Sequence, residues 1–311
     1  MSATVLLGTE ISARIKQDLA TRVNALRSEG TVPGILMIRV GDDPASMSYV
    51  RQKDKTAAEI GIVSKVVELA YDTPERTLLA LIGHGNEDPL YHGILVQLPL
   101  PSHINQKIVA NTINPLKDVD CFHPQNVGRL LMGDPYLIPC TPHAVLQILL
   151  QANKPSYWPE GKHVVVVGRS NLVGKPLAAL LVQKNLYANA TMTVCHSGTR
   201  NLSHHTAQAD ILVCAMGSPR SIKPFMIKED AVVIDVGVTR IEDPSAKGGY
   251  RLVGDVDHES IDDDFATIAD KAAAYTPVPG GVGPMTVTML MWNTVKAAEF
   301  QRLGAQLGVS A

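Results

Sequence analysis

Short apolar runs rich in β-branched residues recur between stretches of helical periodicity, and that alternation restricts the chain to an α/β architecture built on mostly parallel sheet. Gly34–Val40, Lys65–Leu69 and Gly93–Leu98 read as strands, with helices near 45–60 and 74–86 between them. Ahead of them Ile11, Ile15, Leu19, Val23 and Leu26 fall on one helical face and Gly30 stops the pattern, which predicts a helix over 10–29. A second series opens at His163–Val167 and continues through strands near 191–195, 210–215 and 231–236, with a helix at 174–186. These runs are apolar at nearly every position, so they are expected to be covered on both faces, as in a Rossmann-type doubly wound parallel sheet. Thr141-Pro142 reads as the N-cap and first residue of a helix over 141–152 that bridges two α/β domains. A last helix starts at Pro284 and carries Met285, Met289, Trp292 and Val295 on its apolar side; it is expected to pack back on the first domain. The expected domains are therefore 1–145, joined by 284–311, and 146–283.

A chain of 311 residues has room for two such cores. Twenty-eight basic and 30 acidic side chains leave a formal charge of −2, too weak a field to favour nucleic acid or an anionic membrane as partner. No run of eighteen apolar residues occurs and the apolar stretch before Glu10 is short, so a cytoplasmic protein is expected. The four cysteines form no C-x-x-C pair, and Cys195 and Cys214 sit inside strand-like runs, as reduced core thiols do. His204-His205 are adjacent and no H-x-x-x-H or H-E-x-x-H occurs, so no metal site is expected.

Three regions carry chemistry. Residues 275–286 read Tyr-Thr-Pro-Val-Pro-Gly-Gly-Val-Gly-Pro-Met-Thr, where fixed-φ prolines and permissive glycines encode one shaped loop, either a domain-connecting turn or a loop that borders a ligand. Val164–Val167 runs into Gly168-Arg169-Ser170 and on to Gly174, a strand, a tight turn and a helix start where backbone N–H groups and the helix dipole favour a pyrophosphate. The spacing is G-x-S-x-x-x-G rather than G-x-G-x-x-G, so context rather than the motif carries this reading. After the next strand come His196-Ser197-Gly198-Thr199-Arg200 with no carboxylate for ribose hydroxyls; Ser197 with Arg169 and Arg200 suits a 2′-phosphate, which favours NADP over NAD. Val238, beyond Asp235-Val-Gly237, is a candidate wall for the nicotinamide. In the first domain, Tyr49 and Lys53 share a helix face, which is either a surface pair or the edge of a cleft. Gln97 closes its strand at the carboxyl end, where open α/β sheets bind ligands. Asp118 and Asp120 lie in a loop whose alternative reading is Asx-turn chemistry.

Taken together, Gly41-Asp-Asp-Pro-Ala-Ser46, Tyr49-x-x-x-Lys53, Val96-Gln-Leu-Pro-Leu-Pro101, Lys117-Asp-Val-Asp120, Gly168-Arg-Ser170, Asp235-Val-Gly237 and Thr276–Met285 resemble the bifunctional methylenetetrahydrofolate dehydrogenase/methenyltetrahydrofolate cyclohydrolase family, in order and over nearly the whole chain. The resemblance implies two α/β domains around a cleft, NADP in the second, tetrahydrofolate derivatives as substrate, and a homodimer. It also implies that Lys53 is the catalytic amine, Gln97 orients it, Tyr49 stacks on the folate rings and Asp120 grips the pterin. Val96, Leu98, Pro277, Gly280 and Gly281 would border the folate. Cys121 stands where the family usually has Gly and Ala144 where Gly often follows Cys-Thr-Pro, so the Asp120 loop is the expected point of departure. Leu186–Ala190 resembles a slight insertion before the second nucleotide strand. Three other readings stay open: a monofunctional methylenetetrahydrofolate dehydrogenase, an NADP-dependent dehydrogenase of a keto or amino acid, and a non-catalytic nucleotide- or folate-binding module.

Overall fold

The computed structural model describes residues 3–152, 154–246, 248–261 and 266–306. In chain order the elements begin with β1 (Thr4–Val5), α1 (Gly8–Ser28), β2 (Gly34–Val40), α2 (Pro44–Ile60), β3 (Val63–Leu69), α3 (Glu75–Glu87) and β4 (Gly93–Val96). Next come α4 (Gln106–Thr112), α5 (Pro124–Leu131), α6 (Cys140–Gln151), β5 (His163–Val167), α7 (Gly174–Leu181), β6 (Thr191–Cys195), α8 (Leu202–Thr206) and β7 (Ile211–Cys214). The chain closes with β8 (Val232–Asp235), β9 (Thr239–Glu242), β10 (Tyr250–Val253), α9 (Ile268–Lys271), β11 (Ala274–Tyr275) and α10 (Val282–Gln306). Two compact units result, one of Met1–Ser12 and Thr141–Thr286, the other of Ala13–Cys140 and Val287–Ala311.

The second of these units is built on a three-stranded parallel sheet, β3-β2-β4. Its middle strand, β2, is buried at all seven positions and is apolar except at Arg39, whose guanidinium is buried with it. Leu36, Ile38 and Val40 pack with Leu78 and Ile82 of α3 and with Ile94 and Val96 of β4. Helix α2 is defined at both ends by local chemistry. Asp43 caps it by accepting from the Ser46 N–H at 2.7 Å, Pro44 opens the first turn, and Gly61 ends it at φ 85°, in the left-handed region. The Gly41–Ser46 motif is thus the launch point of the helix that carries Tyr49 and Lys53.

The first unit holds a six-stranded all-parallel sheet in the order β1-β11-β8-β7-β5-β6. From β5 the chain moves outward to β6, then returns to the other side of β5 as β7, so the connections diverge between β5 and β7. Open sheets bind ligands outside the carboxyl ends of strands at such a switch point.

Four features differ from the sequence expectations. Residues 3–12 belong with the six-stranded sheet, because Thr4 and Val5 pair with Ala274 and Tyr275. The helix expected at 174–186 stops at Leu181, where the Ala190 N–H turns back to the Leu181 carbonyl at 2.9 Å and that of Asn189 to Gln183 at 2.8 Å. Helix α6 starts at Cys140, placing Thr141 inside its first turn, where its hydroxyl meets that of Thr286 at 3.4 Å. The antiparallel hairpin β9-β10 was not expected.

Candidate functional site

Lys53 and Gln97 meet. Lys53 Nζ donates to Gln97 Oε1 at 2.8 Å, and Gln97 Nε2 donates to the Leu98 carbonyl at 2.7 Å. The second bond fixes which end of the amide faces the amine. Gln97 itself is anchored one residue beyond β4, its N–H bonded to the Ile38 carbonyl at 2.8 Å. An amide oxygen accepts from an ammonium or from a neutral amine, more strongly from the ammonium, so this contact aims Lys53 in either charge state. Burial lowers the Lys53 pKa below the ordinary lysine value, and the Asp120 carboxylate opposes that shift. Tyr49, one turn earlier on α2, keeps 44% of its surface exposed.

Asp120 is raised from the ordinary carboxylate value by burial, with the Lys53 charge and the nearby Cys140 side chain pulling it back. With Val96, Leu98, Asp118, Phe122 and Val109 it lines a pocket at the carboxyl end of β4. The two acids of the Lys117–Asp120 motif divide their work. Asp118 is 2% exposed and accepts from the His123 N–H at 2.8 Å and Asn126 Nδ2 at 3.0 Å, so it shapes the loop. Cys121 adopts φ 63°, a conformation that glycine takes without penalty, and its thiol donates to the Leu137 carbonyl at 3.3 Å. That is the physical content of the departure noted at this position.

In the other unit, the carboxyl edge of the sheet presents Gly168, His196, Ala215 and Val236 immediately after β5, β6, β7 and β8. Gly168 has φ 135°, and a Cβ there would overlap the Ala215 carbonyl; a Cβ on Gly174 would overlap the carbonyl of Gly168. The turn is thereby closed as tightly as the backbone permits, with Arg169 and Ser170 exposed and Ser170 Oγ accepting from the Val173 N–H at 3.0 Å. Ser197 is exposed in the turn after β6, and Val238 is 42% exposed after β8. A strand end, a closed glycine turn and the N-terminus of α7 fit a pyrophosphate, and the basic, carboxylate-free turn after β6 fits a phosphorylated ribose.

Two buried acids that the sequence reading left unassigned organise this edge. Asp255 accepts from the N–H groups of Met216, Gly217 and Ser218 at 2.7, 3.2 and 2.7 Å. Asp235 accepts from those of Gly237, Asp255 and Val256 at 3.1, 3.0 and 2.9 Å. A Cβ on Gly254 would overlap the Asp235 carboxylate, and one on Gly237 that of Asp255, so the acids and glycines interlock. The signal was present as the paired motifs Asp235-Val-Gly237 and Gly254-Asp-Val-Asp257.

Pro277, Gly280 and Gly281 belong to this same unit, in the loop between β11 and α10. Gly280 takes φ 104° and its carbonyl accepts from the Thr9 N–H at 3.2 Å, while Gly281 packs so closely on Gly8 that a Cβ on the latter would overlap its carbonyl. The shaped loop is therefore fixed against the start of α1. Among the described residues no helix is long and apolar enough to cross a membrane, and no group of three or more His, Cys, Asp or Glu residues could hold a metal ion.

The model for the catalytic domain of tetrahydrofolate dehydrogenase/cyclohydrolase matches residues 6–120, and the model for its NAD(P)-binding domain matches residues 139–302. The chain belongs to the tetrahydrofolate dehydrogenase/cyclohydrolase family. It is 51% identical to the bifunctional protein FolD of Chlorobium phaeobacteroides over 302 residues, which covers 96% of this chain and 98% of that protein. The FolD protein of Dehalococcoides mccartyi is 52% identical over 300 residues, 96% of this chain and 98% of its own length. Among solved structures, the bifunctional FolD of Campylobacter jejuni superposes with a TM-score of 0.87 at 42% identity, covering 96% of this chain and all of that one. The Trypanosoma brucei FolD, determined with NADP cofactor and an inhibitor, gives 0.88 at 39% identity, covering 97% and 99%. Within this family framework, Lys53, Gln97, Val96, Leu98 and Asp120 lie together in the catalytic unit, and Gly168, Arg169, Ser170, Ser197 and Val238 lie along one sheet edge of the NAD(P)-binding unit.

Proposed function

We propose that this chain is a bifunctional one-carbon folate enzyme that oxidises 5,10-methylenetetrahydrofolate to 5,10-methenyltetrahydrofolate with NADP and hydrolyses the product to 10-formyltetrahydrofolate. The observation that carries the reading is the Lys53–Gln97 hydrogen bond of 2.8 Å beside Asp120, within a matched family catalytic domain. NADP, when bound, accepts the hydride. Gly168, Arg169 and Ser170 hold its pyrophosphate, Ser197 and Arg169 its 2′-phosphate, and Val238 borders the nicotinamide.

The protein's part in oxidation is alignment. Tyr49 stacks on the reduced pterin, and the Asp120 carboxylate accepts from paired N–H donors on the pterin edge. Val96 and Leu98 border the ring, and the resemblance assigns Pro277, Gly280 and Gly281 to folate contact as well. Hydrolysis needs a proton moved as water adds to the methenyl bridge. Lys53 does this, since burial lowers its pKa and makes it a better proton acceptor than an exposed lysine, and Gln97 keeps it in line. The catalytic unit of this reading is 13–140 with 287–306, and the NADP-binding unit is 3–12 with 141–286. A cytoplasmic homodimer is the expected working form.

The test is a single purified preparation supplied with methylenetetrahydrofolate and NADP. Formation of methenyl- and then formyl-tetrahydrofolate is expected; accumulation of methenyl at the uncatalysed hydrolysis rate would instead define a monofunctional dehydrogenase, and no NADPH formation would overturn the reading.

A further inference from the structure

Asn293 is a polar residue in an apolar stretch of α10. Met289, Leu290, Met291 and Val295 around it are buried, and Asn293 itself is 1% exposed. An amide removed from water at such a place is retained for the bonds it makes. Nδ2 donates to the Val119 and Ile138 carbonyls, both at 2.8 Å, which uses its two hydrogens on two separate segments. The Cys140 sulfur lies a further 3.7 Å from the same nitrogen. Those segments are tied twice more, by the Cys140 thiol to the Val119 carbonyl at 3.4 Å and by the Cys121 thiol to the Leu137 carbonyl at 3.3 Å. Asp120 thus stands between two residues that are each bound to the 137–140 strip, and Asn293 reaches both strips from the last helix.

We propose that Asn293 is a positioning residue, whose amide clamps Val119 to Ile138 and thereby fixes the Asp120 carboxylate at the Lys53 end of the folate site. The proposal rests on the roles given above to Asp120 and Lys53. Two of the three ties are thiol hydrogen bonds, which are weak, so the amide is the tie that limits how far residue 119 can drift. Drift of Asp120 weakens the grip on the pterin edge. It also removes a negative charge that opposes the effect of burial on Lys53, so the lysine titrates at lower pH.

The test compares Asn293→Leu, which keeps the size and loses both donors, with Asp120→Asn and the double variant. Folate KM, NADP Kd, thermal midpoint and the pH midpoint of cyclohydrolase kcat are measured for each. Asn293→Leu is expected to raise folate KM by about tenfold and to move the pH midpoint downward as Asp120→Asn does. NADP Kd should stay within about twofold, and the double variant should be no worse than the poorer single one. Asn293→Ser, which leaves room for water, repeats the measurement if the leucine variant does not fold. A lowered thermal midpoint with unchanged folate KM and pH midpoint, or losses that multiply in the double variant, would overturn the proposal. If Asp120→Asn itself changes neither quantity, the role of Asp120 has failed and the clamp has nothing to position; if Asp120→Asn changes both and Asn293→Leu neither, the clamp alone has failed.

Discussion

Lys53 is held by one hydrogen bond to a neutral amide oxygen and lies near one carboxylate whose charge acts on its own. Removing that carboxylate in Asp120→Asn takes away the interaction that raises the lysine's pKa, leaving burial, which lowers it. The limb of the cyclohydrolase pH profile that reports Lys53 deprotonation is therefore expected to move to lower pH, and an unmoved or upward-moved limb would mean that the two charges do not communicate. Tyr49→Ala should raise folate KM more than NADP KM; equal losses would indicate damage to the fold. At position 121, φ 63° makes β-branching costly, so Cys121→Val should lower stability by ~2 kcal/mol or more while Cys121→Gly stays close to wild type. Equal thermal midpoints for these two variants would contradict that. Gln97 stood out in the sequence as a polar residue closing an apolar strand, whereas Lys53 and Asp120 read locally as part of an ordinary helix face and an Asx turn and took their roles only from the resemblance. Asn293 was not legible, since its partners are more than 150 residues away and only the fold brings them to it.

At the scale of elements, strands β2, β5 and β7 were readable because burial on both faces makes them apolar at every position but Arg39 and His163, a signal that needs no partner to interpret. Strand β1 was hidden because two residues are too few for any period, and its identity depends on pairing with Ala274 and Tyr275 at the far end of the chain. The early end of α7 was missed because Gln183 and Asn189 close a turn through backbone bonds that propensity does not encode. The interlock at the ends of β7, β8 and β10 carries two expectations. Gly254→Ala forces a methyl group into the Asp235 carboxylate and should destabilise the NAD(P)-binding unit by ~3 kcal/mol, read as a lowered thermal midpoint. Asp255→Asn replaces acceptors facing three N–H groups with a donor on one side, so NADP Kd should rise while folate binding is retained. A change confined to folate binding would remove this loop from the nucleotide site.

For the molecule as a whole, the division of labour follows from where each kind of side chain lies. The catalytic unit supplies an amine from α2, an amide at the end of β4 and a carboxylate from the loop between α4 and α5, and the NAD(P)-binding unit supplies a glycine-closed turn and basic, hydroxyl-bearing loops at its sheet edge. The absence of an acidic residue in His196–Arg200 predicts a preference for NADP, and a tenfold advantage for NAD in kcat/KM would contradict the roles given to Arg169 and Ser197. Whether one chain performs both steps turns on Lys53. The most direct measurement is the rate at which Lys53→Met converts methenyl- to formyl-tetrahydrofolate, with NADP binding measured on the same sample to show that the protein is folded. The expected result is NADP binding like that of the wild type and hydrolysis slowed by at least ~10²-fold; hydrolysis at the wild-type rate would contradict the assignment of proton transfer to this lysine.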